Sequence, residues 1–178
     1  MKKETVLDAN GVAAALDKMA DDIISGNLQT GEFALVGIRT GGAFLAYRLQ
    51  TLLEKKTRRR IPIGVIDINL YRDDWTRVAQ TPVVRKTELN FSIDNKRIVL
   101  VDDVLFTGRT IRAAMDALMD FGRPAKIELA VLADRGHREL PICPDFTGLT
   151  LKTSPEERVN VYFSELKAED EVAVEQTG

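Results

Sequence analysis

Two adjacent carboxylates followed by a small-residue turn are the part of this sequence best suited to chemistry. Asp102 and Asp103 come directly after the apolar segment 98–101, which predicts a short buried strand. The turn 107–110, Thr-Gly-Arg-Thr, comes next and leads into a helical pattern. A strand, turn and helix in this order aim free backbone N–H groups and a helix N-terminus at one point, which suits a phosphate. Because the neighbouring carboxylates can accept hydrogen bonds from sugar hydroxyls, the pattern predicts a site for a phosphorylated sugar.

A second strand-to-helix turn, Arg39-Thr40-Gly41-Gly42, follows the apolar segment 33–38. Glycines let the backbone turn sharply and approach a ligand closely. The planar guanidinium of Arg39 can hold a pair of pyrophosphate oxygens. Taken alone, this segment is more typical of an ordinary loop with a surface arginine. Beside the acidic pair, Asp102 and Asp103, it is the expected pyrophosphate loop.

Composition indicates an ordinary globular chain. Its 178 residues are enough for one domain with a substantial core. The net charge of −2 gives no broad electrostatic attraction to nucleic acid. Apolar runs are too short to span a bilayer and no signal peptide is evident, so we expect a cytoplasmic protein without membrane contact. The single cysteine, Cys143, cannot form an internal disulfide and is more typical of a passive small side chain than of a nucleophile.

Apolar periodicity predicts an α/β fold with a parallel sheet and helices on its faces. Ligands in such sheets bind at the carboxyl ends of the strands, where the acidic pair and Arg39 are expected. The segment from 71 to about 92 is long for a loop and predicts a binding loop or lid. The acidic tail from Glu165 is expected to be solvated, with a weakly ordered end. We expect helices from Asp8 or Asn10 to Gly26, at about 43–55 and at about 110–121 before a cap at Gly122, and strands at 33–38, 63–70, 98–101 and 127–133.

The segment after the last predicted strand contains the only histidine of the chain, between two arginines. A lone histidine is usually structural or exposed. Several cationic or titratable side chains near an acidic pair at one sheet edge favour a binding role instead. We expect Arg135, Gly136 and His137 to contribute to a hood that holds a base. Asp134 can bind a hydrated Mg²⁺, which prefers few carboxylates together with waters and phosphate.

The segment 98–110 resembles the phosphoribosyl pyrophosphate (PRPP) signature of type I phosphoribosyltransferases. Two better-known phosphate motifs, G-x-x-x-x-G-K-[ST] and G-x-G-x-x-G, are absent. With the segments 70–74, 115–124 and 134–142, the chain is similar over nearly its whole length to the family of bacterial pyrimidine regulators that are also uracil phosphoribosyltransferases.

This resemblance implies the type I phosphoribosyltransferase fold: one domain over residues 1–178, with a parallel sheet core, a small hood built largely from about 134–160 and a flexible loop at about 71–92. The implied reaction is uracil plus PRPP giving UMP and pyrophosphate, with Mg²⁺. The family also implies UMP- or UTP-dependent binding to pyrimidine leader RNA, and homodimers or larger assemblies. The implied site residues are Asp102 and Asp103 for catalysis at the ribose, Leu105, Phe106, Thr107, Gly108, Arg109 and Thr110 for the 5′-phosphate, Arg39, Thr40, Gly41 and Arg72 for pyrophosphate, and Arg135, Gly136 and His137 for the base.

The first predicted helix departs from the family pattern. RNA-binding members carry basic residues on its exposed face, where this chain has Asp17, Lys18 and Asp21. Because RNA affinity depends on neutralising phosphate charge, we expect weakened RNA binding. The alternatives are a regulator with vestigial enzyme activity, a salvage transferase that has lost RNA binding, a transferase for another base such as hypoxanthine, and a receiver domain, whose acidic pair would follow its first strand.

Overall fold

The computed structural model describes residues 3–27, 32–72 and 86–176, which form two β-sheets and three α-helices. One sheet has five parallel strands in the order β3-β2-β4-β5-β6, and the other has three antiparallel strands in the order β1-β8-β7. The elements are β1 (Lys3–Leu7), α1 (Ala9–Asn27), β2 (Phe33–Ile38), α2 (Gly41–Thr57), β3 (Ile63–Ile66), β4 (Arg97–Leu105), α3 (Arg109–Met119), β5 (Lys126–Asp134), β6 (Phe146–Thr150), β7 (Glu157–Tyr162), a 3₁₀ turn (Ser164–Leu166) and β8 (Glu171–Gln176).

The parallel sheet is covered on both faces, as the apolar pattern predicts. Val99 and Val101 of the central strand β4 belong to the core formed with α1 and α2. Ile98 and Leu100, which point the other way, belong to the core formed with α3. A strand buried on both faces has no exposed side that polar residues could occupy, which explains the uninterrupted apolar run before Asp102.

Several element boundaries differ from those expected. Strand β4 continues through the acidic pair to Leu105, because Val104 and Leu105 still pair with β5. Strand β3 ends at Ile66 instead of residue 70, because Ile68 starts a turn in which its carbonyl accepts the Tyr71 N–H. Helix α3 ends at Met119 and its C-cap residue is Asp120, so the expected cap at Gly122 is wrong by two residues.

The amino end of α1 agrees with the start predicted from the sequence. The Asp8 carboxylate accepts a hydrogen bond from the Gly11 N–H at 2.8 Å, so of the two candidate caps it is Asp8 that acts. The helix continues to Asn27, one residue past the expected end. No helix in the described ranges is both long and apolar enough to cross a membrane.

The expectation of a solvated acidic tail is wrong for residues 171–176. Strand β8 lies between β1 and β7, and its Val172 and Ala173 side chains are fully buried. The three-stranded sheet therefore joins the two ends of the described chain. The segment 134–160, expected to form most of a hood, is divided: β6 pairs with β5 in the parallel sheet, whereas β7 belongs to the three-stranded sheet.

The expected loop at 71–92 is only partly described, since residues 73–85 lie outside the described ranges. Its carboxyl part returns to the sheet, where Glu88 forms an antiparallel bridge with Val65 of β3. Both backbone hydrogen bonds of this bridge are short, at 2.9 and 2.7 Å.

Candidate active site

The two predicted turns meet at the carboxyl edge of the parallel sheet. Strands β2 and β4 are paired neighbours, so the turn after β2 arrives beside the acidic pair on β4. The approach is very close: a methyl group added to Gly41 would lie 2.7 Å from Asp103 Cγ, and one added to Gly42 would lie 2.9 Å from Asp102 Cα. Only glycine fits at both positions, which accounts for the paired glycines in this turn.

The acidic pair lies in an environment that disfavours negative charge. Asp102 is buried and Asp103 is partly buried. Burial, followed by the charge of Asp103, raises the pKa of Asp102 well above its usual value, and burial raises the pKa of Asp103. Local backbone bonds help to orient both groups: Asp103 N–H donates to Asp102 Oδ1 (3.0 Å) and Val104 N–H donates to Asp103 Oδ1 (2.8 Å). No ion pair reaches either carboxylate from the described parts of the chain, so both can take a hydroxyl-bearing or cationic ligand.

The turn 105–110 contains backbone donors without partners. Within the described ranges, the N–H groups of Phe106, Thr107 and Gly108 have no acceptor in the chain. Gly108 has φ +91°, a conformation that favours glycine, and α3 begins at the next residue. Successive unpaired N–H groups at a helix N-terminus form a favourable environment for an anion.

Arg39 connects the glycine turn 39–42 to residues 86–88. Its Nη2 donates to the Lys86 carbonyl and to Glu88 Oε1, both at 3.1 Å. Its buried Nε has no acceptor among the residues that the structure describes. The peptide bond between Arg39 and Thr40 is cis. Arg72 is exposed and directly precedes residues 73–85, which lie outside the described ranges.

The predicted hood residues converge on Phe106. The buried guanidinium of Arg135 stacks 4.0 Å above the Phe106 ring and donates through Nη2 to the Ser154 carbonyl (2.9 Å). His137 presents its ring edge-on to Phe106, and its Nε2 lies 2.6 Å from the Thr153 carbonyl. Since a carbonyl only accepts, Nε2 carries the proton. The predicted base and phosphate regions are therefore in direct contact.

Asp134 has both carboxylate oxygens occupied by protein donors. Oδ1 accepts the Gly136 N–H at 3.0 Å, and Oδ2 accepts Arg138 Nη2 at 2.7 Å. These bonds fit an anchor of the following segment better than the magnesium ligand predicted from the sequence. The described residues contain no group of three or more His, Cys, Asp or Glu side chains suited to a metal. Arg138 lies in the segment predicted to form the hood but was not among the predicted site residues.

Comparison with known proteins agrees with this geometry. A sequence model of the phosphoribosyl transferase domain matches residues 2–163. The bifunctional protein PyrR of Syntrophobacter fumaroxidans is 54% identical over 171 residues, covering 96% of this chain and 92% of that protein. PyrR of Geobacter sulfurreducens is 51% identical over 170 residues, covering 96% of each. The chain belongs to the PyrR family of phosphoribosyltransferases.

Solved structures confirm the type I phosphoribosyltransferase fold of this PyrR-family chain. The hypoxanthine phosphoribosyltransferase of Trypanosoma cruzi aligns with a TM-score of 0.73 and 16% identity, covering 98% of this chain and 97% of that one. A hypoxanthine-guanine phosphoribosyltransferase of Bacillus anthracis aligns with a TM-score of 0.71 and 14% identity, covering 99% and 100%. At such low identity the likeness establishes the fold and leaves the base open. Family membership removes the receiver-domain alternative.

Proposed function

We infer that this chain transfers a phosphoribosyl group from PRPP to uracil, giving UMP and pyrophosphate. The observation that carries this inference is the arrangement on one strand, turn and helix. In the part of the chain that the structure describes, two carboxylates that no ion pair reaches precede three N–H groups that have no acceptor, and the glycine turn 39–42 packs directly against the carboxylates. This arrangement matches PRPP, in which the ribose lies between the 5′-phosphate and the pyrophosphate.

The chemistry we propose needs no protein nucleophile. Cleavage of the bond between the ribose and pyrophosphate develops positive charge on the sugar, which negative charge on Asp102 and Asp103 stabilises. Their oxygens accept hydrogen bonds from the ribose hydroxyls and hold the sugar in place. The N–H groups of the turn 105–110 bind the 5′-phosphate, while Arg39 and Arg72 neutralise the pyrophosphate.

The base and the metal complete the proposal. Uracil lies near Arg135, Gly136 and His137, where backbone groups read its edges. Phosphoribosyltransferases generally use Mg²⁺ with PRPP, and the metal supplies charge neutralisation of the departing pyrophosphate. The acidic pair, which no cationic side chain of the described chain reaches, fits contact with a PRPP-bound cation better than Asp134, whose two oxygens both accept protein donors, one of them from Arg138.

The decisive variant is Asp103→Asn, which keeps the size of the side chain and removes its charge. We expect UMP formation to fall by about 10²–10³-fold, because a charge aligned with the transition state is lost. Glu169→Gln, an exposed change of the same kind, is the matched control and should retain full activity. Full UMP synthesis by Asp103→Asn, measured with uracil and PRPP, would show that the acidic pair has another role.

We propose UMP-dependent RNA binding as the second role, in line with the word bifunctional in the names of the relatives. The charges of α1 predict that it is weak. Lys56 of α2 lies 2.9 Å from Asp17 and 2.8 Å from Asp21, and Lys18 lies 2.6 Å from Asp22. These cations are already neutralised within the protein and are less available to phosphates.

Titration of a pyrimidine leader RNA, with and without UMP and across salt concentrations, tests this role. We expect weak binding with a shallow salt dependence. A steep salt dependence together with enhancement by UMP would show that RNA regulation persists through other residues. Competition between uracil and hypoxanthine in the transferase assay separates the two candidate bases.

A further inference from the structure

Three successive carbonyls of the phosphate-binding turn are held by one short segment, residues 135–140. The Leu105 carbonyl accepts the Arg135 N–H at 3.1 Å. The Phe106 carbonyl accepts Arg138 Nη1 at 2.9 Å. The Thr107 carbonyl accepts two backbone N–H groups, those of Glu139 (3.0 Å) and Leu140 (3.2 Å).

This pattern determines where the opposite ends of the same peptide units point. In a trans peptide the C=O and N–H bonds are coplanar and antiparallel. Fixing the carbonyls of residues 105, 106 and 107 toward the 135–140 segment therefore directs the N–H groups of Phe106, Thr107 and Gly108 away from it. None of these three N–H groups has an acceptor within the described chain.

Arg138 is the one side chain among these donors, and it is itself held firmly. It donates through Nε to the Ile142 carbonyl (2.8 Å), through Nη1 to the Gly136 carbonyl (3.3 Å) as well as to Phe106, and through Nη2 to Asp134 (2.7 Å). The planar guanidinium thus links the phosphate-binding turn, the 135–140 segment and the end of β5. A lysine has one ammonium group and cannot reach all of these acceptors at once.

We propose that the 135–140 segment preorganises the phosphate-binding turn and that Arg138 is a positioning residue for the 5′-phosphate. Arg138 acts through the Phe106–Thr107 peptide, whose N–H it aims at the ligand. The donors of the turn are then already ordered before the anion binds, which removes the free-energy cost of ordering them on binding. This proposal rests on the proposed function, since it assigns a ligand to the same turn.

The test compares UMP with uridine, which lacks the phosphate. Binding of each to Arg138→Gln is measured by calorimetry without divalent cations. We expect UMP affinity to fall about tenfold, as loss of one oriented donor to a charged group predicts, with uridine affinity unchanged within about twofold. In steady-state kinetics the KM for PRPP should rise while the KM for uracil stays nearly constant. Arg138→Lys should give an intermediate UMP affinity.

Two further variants make the result specific. Arg158→Gln removes an exposed arginine of β7 and should change neither ligand's affinity. Asp134→Asn, which releases the other side of Arg138, should weaken UMP selectively, and the double variant should be no worse than the poorer single variant, since both act through one network. Melting temperatures recorded beside each titration exclude global unfolding, and Arg138→Lys supplies the comparison if Arg138→Gln unfolds.

Equal weakening of UMP and uridine, or no effect on either, would overturn the positioning role. Failure of the proposed function is a separate result: the wild-type chain would then make no UMP from uracil and PRPP. A wild-type chain that is active, with an Arg138→Gln variant that keeps its preference for UMP over uridine, rejects this inference alone.

Discussion

The acidic pair and the Arg48 cluster, formed by Arg48, Ser164, Glu165 and Asp170, place carboxylates in opposite electrostatic states. Arg48 donates to Glu165 at 2.8 and 2.5 Å and to Asp170 at 2.8 and 2.9 Å. Those bonds lower the pKa of both carboxyl groups and raise that of Arg48. Burial raises the pKa of Asp102 and Asp103, which have no such partner in the described chain.

This difference separates structural from functional carboxylates. The Arg48 cluster joins α2 to the segment between β7 and β8, and its charges are compensated within the protein. The charged form of the acidic pair is disfavoured by burial, and a bound ligand must supply the compensating charge or hydrogen bonds. Buried groups with unfavourable charge at a ligand-binding edge are typical of sites where stability has been given up for activity.

The largest expected effect comes from crowding the acidic pair. In Gly41→Ala the new methyl group would lie 2.7 Å from Asp103 Cγ and 3.0 Å from the Phe163 ring, so the carboxylate or the turn must move. We expect kcat/KM for UMP formation to fall by about 10²-fold, because displacement of a reacting group by about 1 Å has that effect.

A glycine outside the site provides the control for this variant. In Gly26→Ala the methyl group would lie 3.5 Å from the Phe146 ring, an ordinary contact, and α1 should be stabilised by about 0.5–1 kcal/mol. Activity should be unchanged. Equal activity losses in the two variants would show that the effect of Gly41→Ala is not specific to crowding of the acidic pair.

A smaller effect, on stability alone, is expected from the other region. Arg48→Met should lower the free energy of unfolding by about 1–2 kcal/mol, because two carboxylates lose a charged hydrogen-bond partner at a partly exposed site. Because the pKa values of Glu165 and Asp170 are lowered in the folded state, the two carboxylates stabilise the fold at pH values above their unfolded pKa values, 4.5 and 3.8. This stabilisation is lost as the pH falls through the folded-state pKa values.

Urea unfolding of Arg48→Met and wild type at several pH values measures this effect. The difference in free energy of unfolding should be greatest near neutral pH and should shrink below about pH 4. Arg158→Met, a change at an exposed arginine, serves as the control. A difference that is constant down to pH 2 would indicate that Arg48 acts through packing on Phe163, over which its guanidinium lies at 5.6 Å, and not through charge.

The last expected effect on stability has the opposite sign. Asp102→Asn should abolish transfer yet raise the free energy of unfolding at pH 7, since burial and the charge of Asp103 disfavour the ionised carboxylate in the folded state and the neutral amide avoids both. Because the folded-state pKa is raised, wild-type stability falls as pH rises from 3.8 through the folded value, and the amide lacks this dependence. The gain should therefore vanish near pH 3.8. An Asp102→Asn variant less stable than wild type at pH 7 would contradict the comparison.

The parallel sheet and the meeting of the two turns were predictable from the sequence, because continuous apolar runs and strand order determine both. The apolar segment 98–101 predicts a buried strand, and neighbouring parallel strands bring the turns that follow them to the same edge of the sheet. The three-stranded sheet was missed. Residues 172–174, Val-Ala-Val, form a short apolar run that is compatible with a strand, but the surrounding acidic residues suggested a solvated tail.

The role of Arg138 could not be read from the sequence for a different reason. Its partners include the carbonyls of Phe106 and Ile142, and backbone carbonyls leave no trace in residue types. The hydrogen bonds of Asp134 to Gly136 and Arg138 could not be predicted either, since a carboxylate at a strand end is compatible with metal binding or with hydrogen bonds to the following segment. Hydrogen-bond geometry decides between such readings, and sequence pattern does not.

The pairing of β1 with β8 has a consequence for biosynthesis. Lys3 of β1 pairs with Glu175 of β8. Phe163, which precedes β8 in the chain, lies against the glycine turn of the site. A nascent chain on the ribosome holds its amino-terminal strand without a partner until translation has passed residue 176. The three-stranded sheet can therefore form only after residues 171–176 have been synthesised, so its assembly follows the synthesis of all five strands of the parallel sheet.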